Sequence, residues 1–371
     1  MQRLTTIVFA CVTLLMTLTL LAVMAHRQGW LDVPPAYDAA RVAQARQAIH
    51  HLAAQWVQKD ALARADGWTY TVDVGELLIA AALARDADTY QHLRAFCLAH
   101  LIQNDPSRPD TRDMVLWRYQ PGSPPDASGT TEALRVARGL WYGGARFHRP
   151  QDRDLAHQIL RAYLRHQTVE QGVWLIRNYY NFGTHAFATN SFTIDYDPDL
   201  LAEVGRATGD ADLLQAATKS YAVVRSAVAP CGLIYDVIQP EVTTIIPDMP
   251  PVLGPNDIVQ ISNSASIVEH AAQGLPGVAR PVLTFALRRL PDLHLFFLGR
   301  SGAEPFRRPC GPEGYTALLR LAVHLGDQAA VRRLAPYVAD QALAFAAHPY
   351  APKPFLISEL WLALEVVSHG H

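Results

Sequence analysis

Two pairs of acidic residues stand at the start of apolar segments. Asp73 and Glu76 lie three residues apart in YTVDVGELLIAAALA, and Asp126 and Glu132 lie in DASGTTEALRVA. A spacing of three places two side chains on one face of a helix. Paired carboxylates could hydrolyse a glycosidic bond, because one carboxylic acid protonates the leaving oxygen while the other carboxylate activates water. These four residues are therefore the candidate catalytic residues.

Aromatic residues accompany these acids in the segments between the apolar stretches. Aromatic faces offer large flat surfaces with a polar edge, which suits stacking on sugar rings. We therefore expect a substrate-binding surface near the acids. Its candidate residues are Trp68, Tyr70, Trp117, Tyr119, Tyr180, Asp195, Tyr196, Tyr235 and Tyr315.

Helix capping is the alternative explanation for acids in these places. Asp and Glu near a helix N-terminus bind free backbone N–H groups and complement the helix dipole. For Asp197, Asp199 and Asp257, capping is the favoured explanation. Asp73 and Glu76 could likewise form a capping box, with Asp73 as the cap.

The elements that must position these residues are helices. Apolar residues at helical spacing predict about twelve of them between residues 39 and 368. Short polar turns such as ARDADT and RATGDAD join some neighbours, which must then be antiparallel. Long connections join the others, over residues 103–129, 167–197, 229–261 and 291–312.

This alternation predicts an all-α fold, an (α/α)6 toroid of six helical hairpins, as one domain over residues 28–371. If every short turn lies at one end, the long connections gather at the other end with the acids and aromatic residues. An open helical-repeat solenoid is the alternative, but it would have more uniform repeats and shorter loops.

The composition of single segments indicates where they lie in this ring. Residues 77–83 are apolar on every side and are predicted to form an inner helix, whereas residues 152–166 carry Arg153 and Arg161 and are predicted to be outer. The stretches VWLIRNYY and GLIYDVI could form small strands within the long connections.

The N-terminal segment is separate from the ring. An uncharged, mostly apolar stretch runs from Ile7 to Ala25 and is about long enough to cross a bilayer. It predicts a signal anchor over residues 1–27, or a signal peptide cleaved after Ala25. We therefore expect an exported protein, either anchored in the inner membrane and facing the periplasm or extracellular side, or secreted.

Charge and cysteine content restrict the partners. The chain has 32 basic and 34 acidic residues and no Lys/Arg-rich run, which argues against nucleic acid and favours a neutral polysaccharide or oligosaccharide. No metal-binding or cofactor motif is present in the sequence, so none is expected. Cys231 and Cys310 each lie in a Pro-Cys-Gly turn, either as a disulfide in an oxidising compartment or as two unrelated thiols.

The order of these motifs is similar to that of the family 8 glycoside hydrolases, the bacterial endoglucanase and chitosanase group. TVDVGELLIAAALARDADTYQHLRAF resembles the family's T-V-S-E-G-Q-x-Y-G-M helix and the helix after it, and DASGTTEALRVARGLW resembles D-A-S-A-T-D-A-D-L-x-I-A. NSFTIDYDPDLLAEVGRATGD and CGLIYDVI resemble its Pro-Ser-Tyr helix start and its Gly-Leu-x-Pro-Asp turn. The resemblance spans most of residues 67–338 and implies a six-hairpin toroid that hydrolyses β-glycans, mostly with inversion.

The sequence departs from the family at the catalytic positions. When the motifs are aligned on Gly75, the family's acid glutamate corresponds to Val74. When they are aligned on Asp126, the acids of the Asp-Ala-Asp triplet correspond to Thr131 and Ala133. Neither catalytic motif is therefore intact.

Two main hypotheses follow. The chain is a hydrolase in which Asp73 or Glu76 donates the proton and Asp126 or Glu132 holds or activates water. Alternatively, it is a glycan-binding or assembly factor in a polysaccharide export system, with a synthase or export complex as its partner.

A lyase or an unsaturated-uronyl hydrolase is a third hypothesis. A lyase would need a Tyr or His base and a cluster of cations around a uronate. Only Arg177 and His185 are candidates for such a cluster.

Overall fold

The computed structural model describes residues 36–170, 172–238, 258–303, 308–348 and 353–369. Within these ranges the chain forms twelve α-helices, which confirms the helices predicted from periodicity. They are α1 (Ala39–Gln58), α2 (Thr71–Ala84), α3 (Ala87–Phe96), α4 (Thr130–Arg146), α5 (Pro150–Tyr163), α6 (Pro198–Thr208), α7 (Ala211–Ser226), α8 (Ile261–Glu269), α9 (Pro276–Leu287), α10 (Pro312–His324), α11 (Gln328–Ala347) and α12 (Pro354–His369).

Two predictions concern residues beyond these ranges. The signal or anchor segment over residues 1–27 and the capping role of Asp257 lie outside the described residues. None of the described helices combines the length and the apolar composition needed for a membrane span.

The helices alternate between an inner and an outer layer. Helix α2 is buried on nearly every side, from Thr71 through Ala82, as expected of an inner helix. Helix α5 buries only one face, including Ala156 and Ile159, and exposes the other. The even-numbered helices line the ring and the odd-numbered helices surround it.

The ring closes between its first and last inner helices. Helix α12 packs against α2 on one side and α10 on the other, and also contacts α1. The hydroxyl of Ser358 on α12 donates to Oε2 of Glu76 on α2 over 3.1 Å. A solenoid would leave its terminal repeats apart, so this contact supports the toroid.

The described parts of the long connections gather at one end of the ring, before the N-termini of the inner helices. We call this the long-connection end, and the opposite end the short-turn end. Short antiparallel strands tie neighbouring connections together, as predicted in part for VWLIRNYY and GLIYDVI. The pairs are β1 (Thr69–Tyr70) with β2 (Arg118–Tyr119), β3 (Gln167–Glu170) with β4 (Val173–Ile176), β5 (Tyr180–Asn181) with β6 (Ala186–Phe187), β7 (Ser191–Phe192) with β8 (Val237–Ile238), and β9 (Ile258–Gln260) with β10 (Phe296–Leu298).

The state of Cys310 distinguishes between a disulfide with Cys231 and two separate thiols. This residue is a buried thiol, and its Sγ donates to the carbonyl of Gly311 over 3.6 Å. The disulfide with Cys231 is therefore not formed in this structure.

Candidate active site

The start of α2 brings the first group of candidate residues together. Strand β1 pairs with β2 just before the helix, with Tyr70 opposite Arg118. The rings of Tyr70 and Trp117 meet edge to face, with centroids 5.7 Å apart. The Arg118 guanidinium lies 3.9 Å from the ring centroid of Trp68 and 4.2 Å from that of Trp117. Three of the predicted aromatic residues thus form one cluster around an arginine.

Asp126 is held by this cluster. Trp117 Nε1 donates to Oδ1 over 2.7 Å, and Arg118 Nη2 donates to Oδ2 over 2.8 Å. The side chain of Asp126 remains 39% exposed, so it can still reach a ligand. Its orientation is fixed by both neighbours.

Glu132 lies on the wall of the same depression, in the first turn of α4. A cavity of about 380 Å³, which we call the cleft, contains both carboxylates. Its other main lining residues are Trp117, Asn178, Tyr179 and Asn181. Burial of the Glu132 carboxyl, with a further contribution from nearby Asp195, raises its pKa to about 7.

Gly129 makes room for the Glu132 carboxylate. A Cβ built on Gly129 would stand 1.9 Å from Oε2 of Glu132 and 3.1 Å from Cβ of Trp117. The backbone of Gly129 is extended, with φ −134°, so its conformation does not itself require glycine. The missing side chain is therefore needed for the position of Glu132.

Asp195 supports the cleft from below its surface. It was expected to contact substrate, but it is fully buried and accepts hydrogen bonds from Thr131 Oγ1 and from the backbone N–H of Phe192. Burial raises the pKa of Asp195 to about 7. Thr131, which the sequence resemblance aligns with a family acid, thus holds another carboxyl.

Asp73 and Glu76 take different positions from those expected. Helix α2 begins at Thr71 without a side-chain cap, so the capping box is not formed. Asp73 is buried and receives two hydrogen bonds from Arg64, over 2.8 and 2.7 Å. That ion pair occupies both oxygens of Asp73.

Glu76 points into the centre of the ring. It is 2% exposed and lies between Ser358 and Arg135, whose Nε is 3.5 Å from Oε1. Burial and the neighbouring Glu359 raise the pKa of Glu76 to about 8. Glu76 lines a second cavity and not the cleft of Asp126, so these two acids are not brought together on one substrate surface.

The remaining aromatic candidates are mostly supports. Tyr119 faces the outer layer, where its ring stacks on His100 at 4.4 Å. The ring of Tyr196 is fully buried, and its hydroxyl contacts Ser191. Tyr180, Tyr235 and Tyr315 are also buried, although all were expected at the substrate surface.

Of the two described acids that were expected to cap helices, one does so and the other makes different hydrogen bonds. Asp197 accepts a hydrogen bond from the backbone N–H of Leu200 over 3.0 Å, which confirms its capping role. Asp199 instead accepts from the hydroxyl of Tyr221 and from the backbone N–H of Gln273.

Several cleft residues were missed in the sequence. Asn178 and Tyr179 lie in a connection whose register with α4 the sequence does not show. Arg118 directly follows Trp117, and its position next to a predicted substrate-binding residue is the signal that could have identified it. Asp236, which does not line the cleft, ends the Gly-Leu-x-Pro-Asp-like turn; burial raises its pKa to about 7, and its Oδ1 has no hydrogen-bond partner among the described residues.

The structure gives little support to the hypothesis of a lyase or an unsaturated-uronyl hydrolase. Arg177 pairs with Glu170 of β3 at 3.5 Å. His185 lies on an exposed turn, with Nδ1 3.3 Å from the hydroxyl of Tyr180. The described residues form no cluster of cations around this histidine.

Comparison with known proteins was made in both sequence and structure. No protein-family model and no curated protein sequence matches this chain. Among solved structures, a β-1,3-1,4-glucanase from Paenibacillus sp. X4 superposes with a TM-score of 0.64 at 13% identity, covering 91% of this chain and 95% of that one.

Two further solved structures carry the family description. An endoglucanase from Klebsiella pneumoniae, described as a family 8 glycosyl hydrolase, has a TM-score of 0.55 at 13% identity, over 79% of this chain and 99% of that one. A GH8 protein from Teredinibacter turnerae, solved as a xylobiose complex, has a TM-score of 0.59 at 12% identity, over 82% of each chain. The chain therefore has the six-hairpin fold of the family 8 glycoside hydrolases, at identities that establish the fold alone.

Proposed function

We propose that this protein hydrolyses a polysaccharide with Glu132 as the proton donor and Asp126 as the carboxylate that positions water. The observation that carries the proposal is the difference between two carboxyls on one cleft. Glu132 has a pKa raised to about 7, and Asp126 is paired with a guanidinium at 2.8 Å. A pair of carboxyls in unlike environments is the arrangement that acid–base cleavage of a glycosidic bond requires.

The proposed reaction is a single displacement. The Glu132 carboxyl gives its proton to the glycosidic oxygen as the bond from that oxygen to the anomeric carbon breaks. A water held by Asp126 attacks the anomeric carbon from the opposite face and gives its proton to that carboxylate, which inverts the configuration. Trp68 and Trp117, already grouped around Arg118, would stack on the sugar rings beside the scissile bond.

The substrate class rests on the fold and on the cleft. Related folds include glucanases and a protein solved with xylobiose, which supports a β-glycan. The apolar stretch from Ile7 to Ala25 supports a place in the cell envelope, anchored or released after cleavage at Ala25. A polysaccharide exported by the same cell is the substrate that fits both features.

The test is release of reducing ends by the full-length protein from β-glucans, xylan, chitosan and bacterial exopolysaccharides. Glu132→Gln and Asp126→Asn should each lower kcat about 100-fold or more, because each removes one half of the acid–base pair. Asp212→Asn, on an exposed carboxylate of α7, is the matched control and should keep full activity. Equal rates in Glu132→Gln and the control would refute this assignment.

A glycan-binding or assembly factor is the second candidate function, and two observations favour it. Both oxygens of Asp126 already accept hydrogen bonds, Oδ1 from Trp117 and the backbone N–H of Ala127, and Oδ2 from Arg118. Val74, at the place of the family's acid, is fully buried. Oligosaccharide binding that Trp117→Ala abolishes, without reducing ends in any variant, would support this candidate. New ultraviolet absorbance from unsaturated ends would instead indicate a lyase.

A further inference from the structure

A hollow lies on the outer wall of the ring, beside α9. It has a volume of about 550 Å³, and every charged residue in its described lining is an arginine: Arg280, Arg288 and Arg289. We call it the arginine hollow. The rest of the lining contains no carboxylate and consists of Cys231, Pro281, Thr284, Phe285 and Ser301. None of these residues lines the cleft, so the arginine hollow is a separate site.

The segment that forms this hollow is more basic than the rest of the chain. Residues 276–303 contain four arginines and one acid, Asp292, although the whole chain has a net charge of −2. Arg280 and Thr284 of α9, and Arg288 directly after it, are spaced four residues apart and are all exposed. They therefore lie on one face of the helix, which is turned towards solvent.

The arginines of the hollow are positioned but not neutralised. The Arg289 guanidinium lies 3.6 Å from the ring centroid of Phe285 and donates to the carbonyls of Phe285 and Gly302 over 3.1 and 3.3 Å. Arg280 donates to the carbonyl of Leu325 over 3.4 Å. A carbonyl carries no net charge. Since no carboxylate is present in the described lining, the three positive charges add up in one concave surface, which attracts anions.

The spacing of the cations indicates an extended ligand. Arg280 and Arg288 are eight residues apart, which corresponds to about 12 Å along a helix. A polymer with anionic groups along its length matches this spacing better than a single small anion, because it can pair with each arginine where it stands.

The other polar groups of the hollow narrow the class of polymer. Thr284 is exposed between the two arginines of α9, and Ser301 Oγ accepts from the backbone N–H of Ala303, which leaves its proton free to donate. Hydroxyls both donate and accept hydrogen bonds, so they suit the hydroxyls of a sugar. Single-stranded nucleic acid would need exposed aromatic rings for its bases. The one ring in this lining, Phe285, is 9% exposed and is covered by Arg289.

We propose that the arginine hollow binds an acidic polysaccharide, whose carboxylates pair with Arg280, Arg288 and Arg289 while its hydroxyls contact Thr284 and Ser301. The planar guanidinium matches a carboxylate in shape and charge. This inference rests on the polysaccharide class of the proposed function, but not on cleavage at the cleft.

The two sites then recognise different properties of a glycan. In the cleft, the guanidinium of Arg118 is already paired with Asp126 at 2.8 Å, so the sugar rings are recognised there by stacking. The unpaired arginines of the hollow recognise negative charge, away from the scissile bond.

The test uses polygalacturonate and its methyl ester, which share one sugar backbone with and without charge. Each is titrated calorimetrically into the full-length protein at pH 7. Polygalacturonate should bind saturably, and the ester about tenfold or more weaker, because it lacks the charge-assisted hydrogen bonds. Added salt should weaken the binding of polygalacturonate, because it screens exposed charges. Equal affinity for the two polymers, or no saturable binding of polygalacturonate, would overturn the proposal.

Paired variants locate the site. The double variant Arg280→Gln/Arg288→Gln changes two exposed side chains and should weaken polygalacturonate about tenfold or more, with circular dichroism to check that it is folded. Arg41→Gln/Arg161→Gln is the matched control. It makes the same change in net charge at exposed arginines that already form salt bridges, and it should bind normally. Equal losses in the two double variants would show an effect of net charge alone and would contradict the assignment.

Two further comparisons separate this inference from hydrolysis and from other polyanions. Glu132→Gln should bind polygalacturonate normally even where it no longer releases reducing ends, so either proposal can fail while the other stands. Lost binding in Glu132→Gln would place the polymer in the cleft and refute the arginine hollow. Tighter binding of single-stranded DNA or of phosphatidylglycerol vesicles than of polygalacturonate would refute the choice of a polysaccharide.

Discussion

Buried acids in the ring differ in whether an arginine compensates their charge. Towards the short-turn end, Glu269 and Glu359 are both held by the guanidinium of Arg320. At the long-connection end, Glu132 and Asp195 form no salt bridge with any described residue, and burial raises both pKa values to about 7. Acids paired with arginine hold the ring together, whereas a buried acid without a cation keeps its proton to a higher pH. Of these two, only Glu132 lines the cleft and is available for proton transfer there.

The largest effect is expected when the salt bridges of Arg320 inside the ring are removed. Arg320→Met should lower the free energy of unfolding by about 3–5 kcal/mol, because it removes the guanidinium that pairs with two buried carboxylates, Glu269 and Glu359. Urea denaturation measures the change. Arg161→Met, which removes a half-exposed partner of Asp210 and Asp212, is the control and should cost less than about 1 kcal/mol. A similar small loss in Arg320→Met would remove the proposed distinction between buried acids with and without an arginine partner.

The second prediction concerns the pH dependence of stability at Asp195. The folded protein keeps the Asp195 proton up to about pH 7, whereas the unfolded chain loses it near the ordinary value of 3.8. This contribution to stability is therefore complete below pH 3.8 and is lost as the pH rises through 7. Asp195→Asn should remove a fall on the order of 4 kcal/mol across that range.

Urea denaturation at a series of pH values measures this fall. Asp212→Asn, an exposed acid, should keep the slope of the unaltered protein. An Asp195→Asn protein with that same slope would show that Asp195 is ionised in the folded state.

The third prediction concerns the space beside Glu132. Gly129→Ala should displace the Glu132 carboxylate towards solvent, lower its pKa and reduce kcat about tenfold, with little change in KM. Titration of the Glu132 carboxyl by carbon NMR measures the pKa independently of activity. Gly277→Ala is the control, since a Cβ there meets nothing within 4 Å. An unchanged Glu132 pKa in Gly129→Ala would contradict the positioning role.

The smallest expected effect concerns Arg118. Arg118→Lys keeps the charge but loses the planar group that lies over Trp68 and Trp117, so oligosaccharide binding should weaken by about 1 kcal/mol or less. Calorimetric titration with a β-glucan oligosaccharide measures it. Arg225→Lys, exposed on α7, should bind normally. Stronger binding by Arg118→Lys would contradict a role for the stacked guanidinium.

The fold was more predictable than the direction of its side chains. Twelve helices and their closed arrangement follow from helical periodicity and from the alternation of short and long connections. The direction of Glu76 does not, because it depends on Ser358 of the last helix and on Arg135 of α4. Tyr119 was misplaced for a similar reason, since nothing in a two-residue strand shows which face meets the cleft.

The contact between α2 and α12 has a consequence for how the chain folds. Glu76 and Ser358 are 282 residues apart, and the entropy cost of joining two points grows with the length of chain between them. During synthesis on a ribosome, the helix that begins at residue 71 emerges long before the one that begins at residue 354. The apolar face of α2 that packs on α12 therefore stays uncovered until α12 is made. The last inner helix, α12, closes the ring. Its removal should expose the apolar surfaces that it covers and so promote aggregation or chaperone binding.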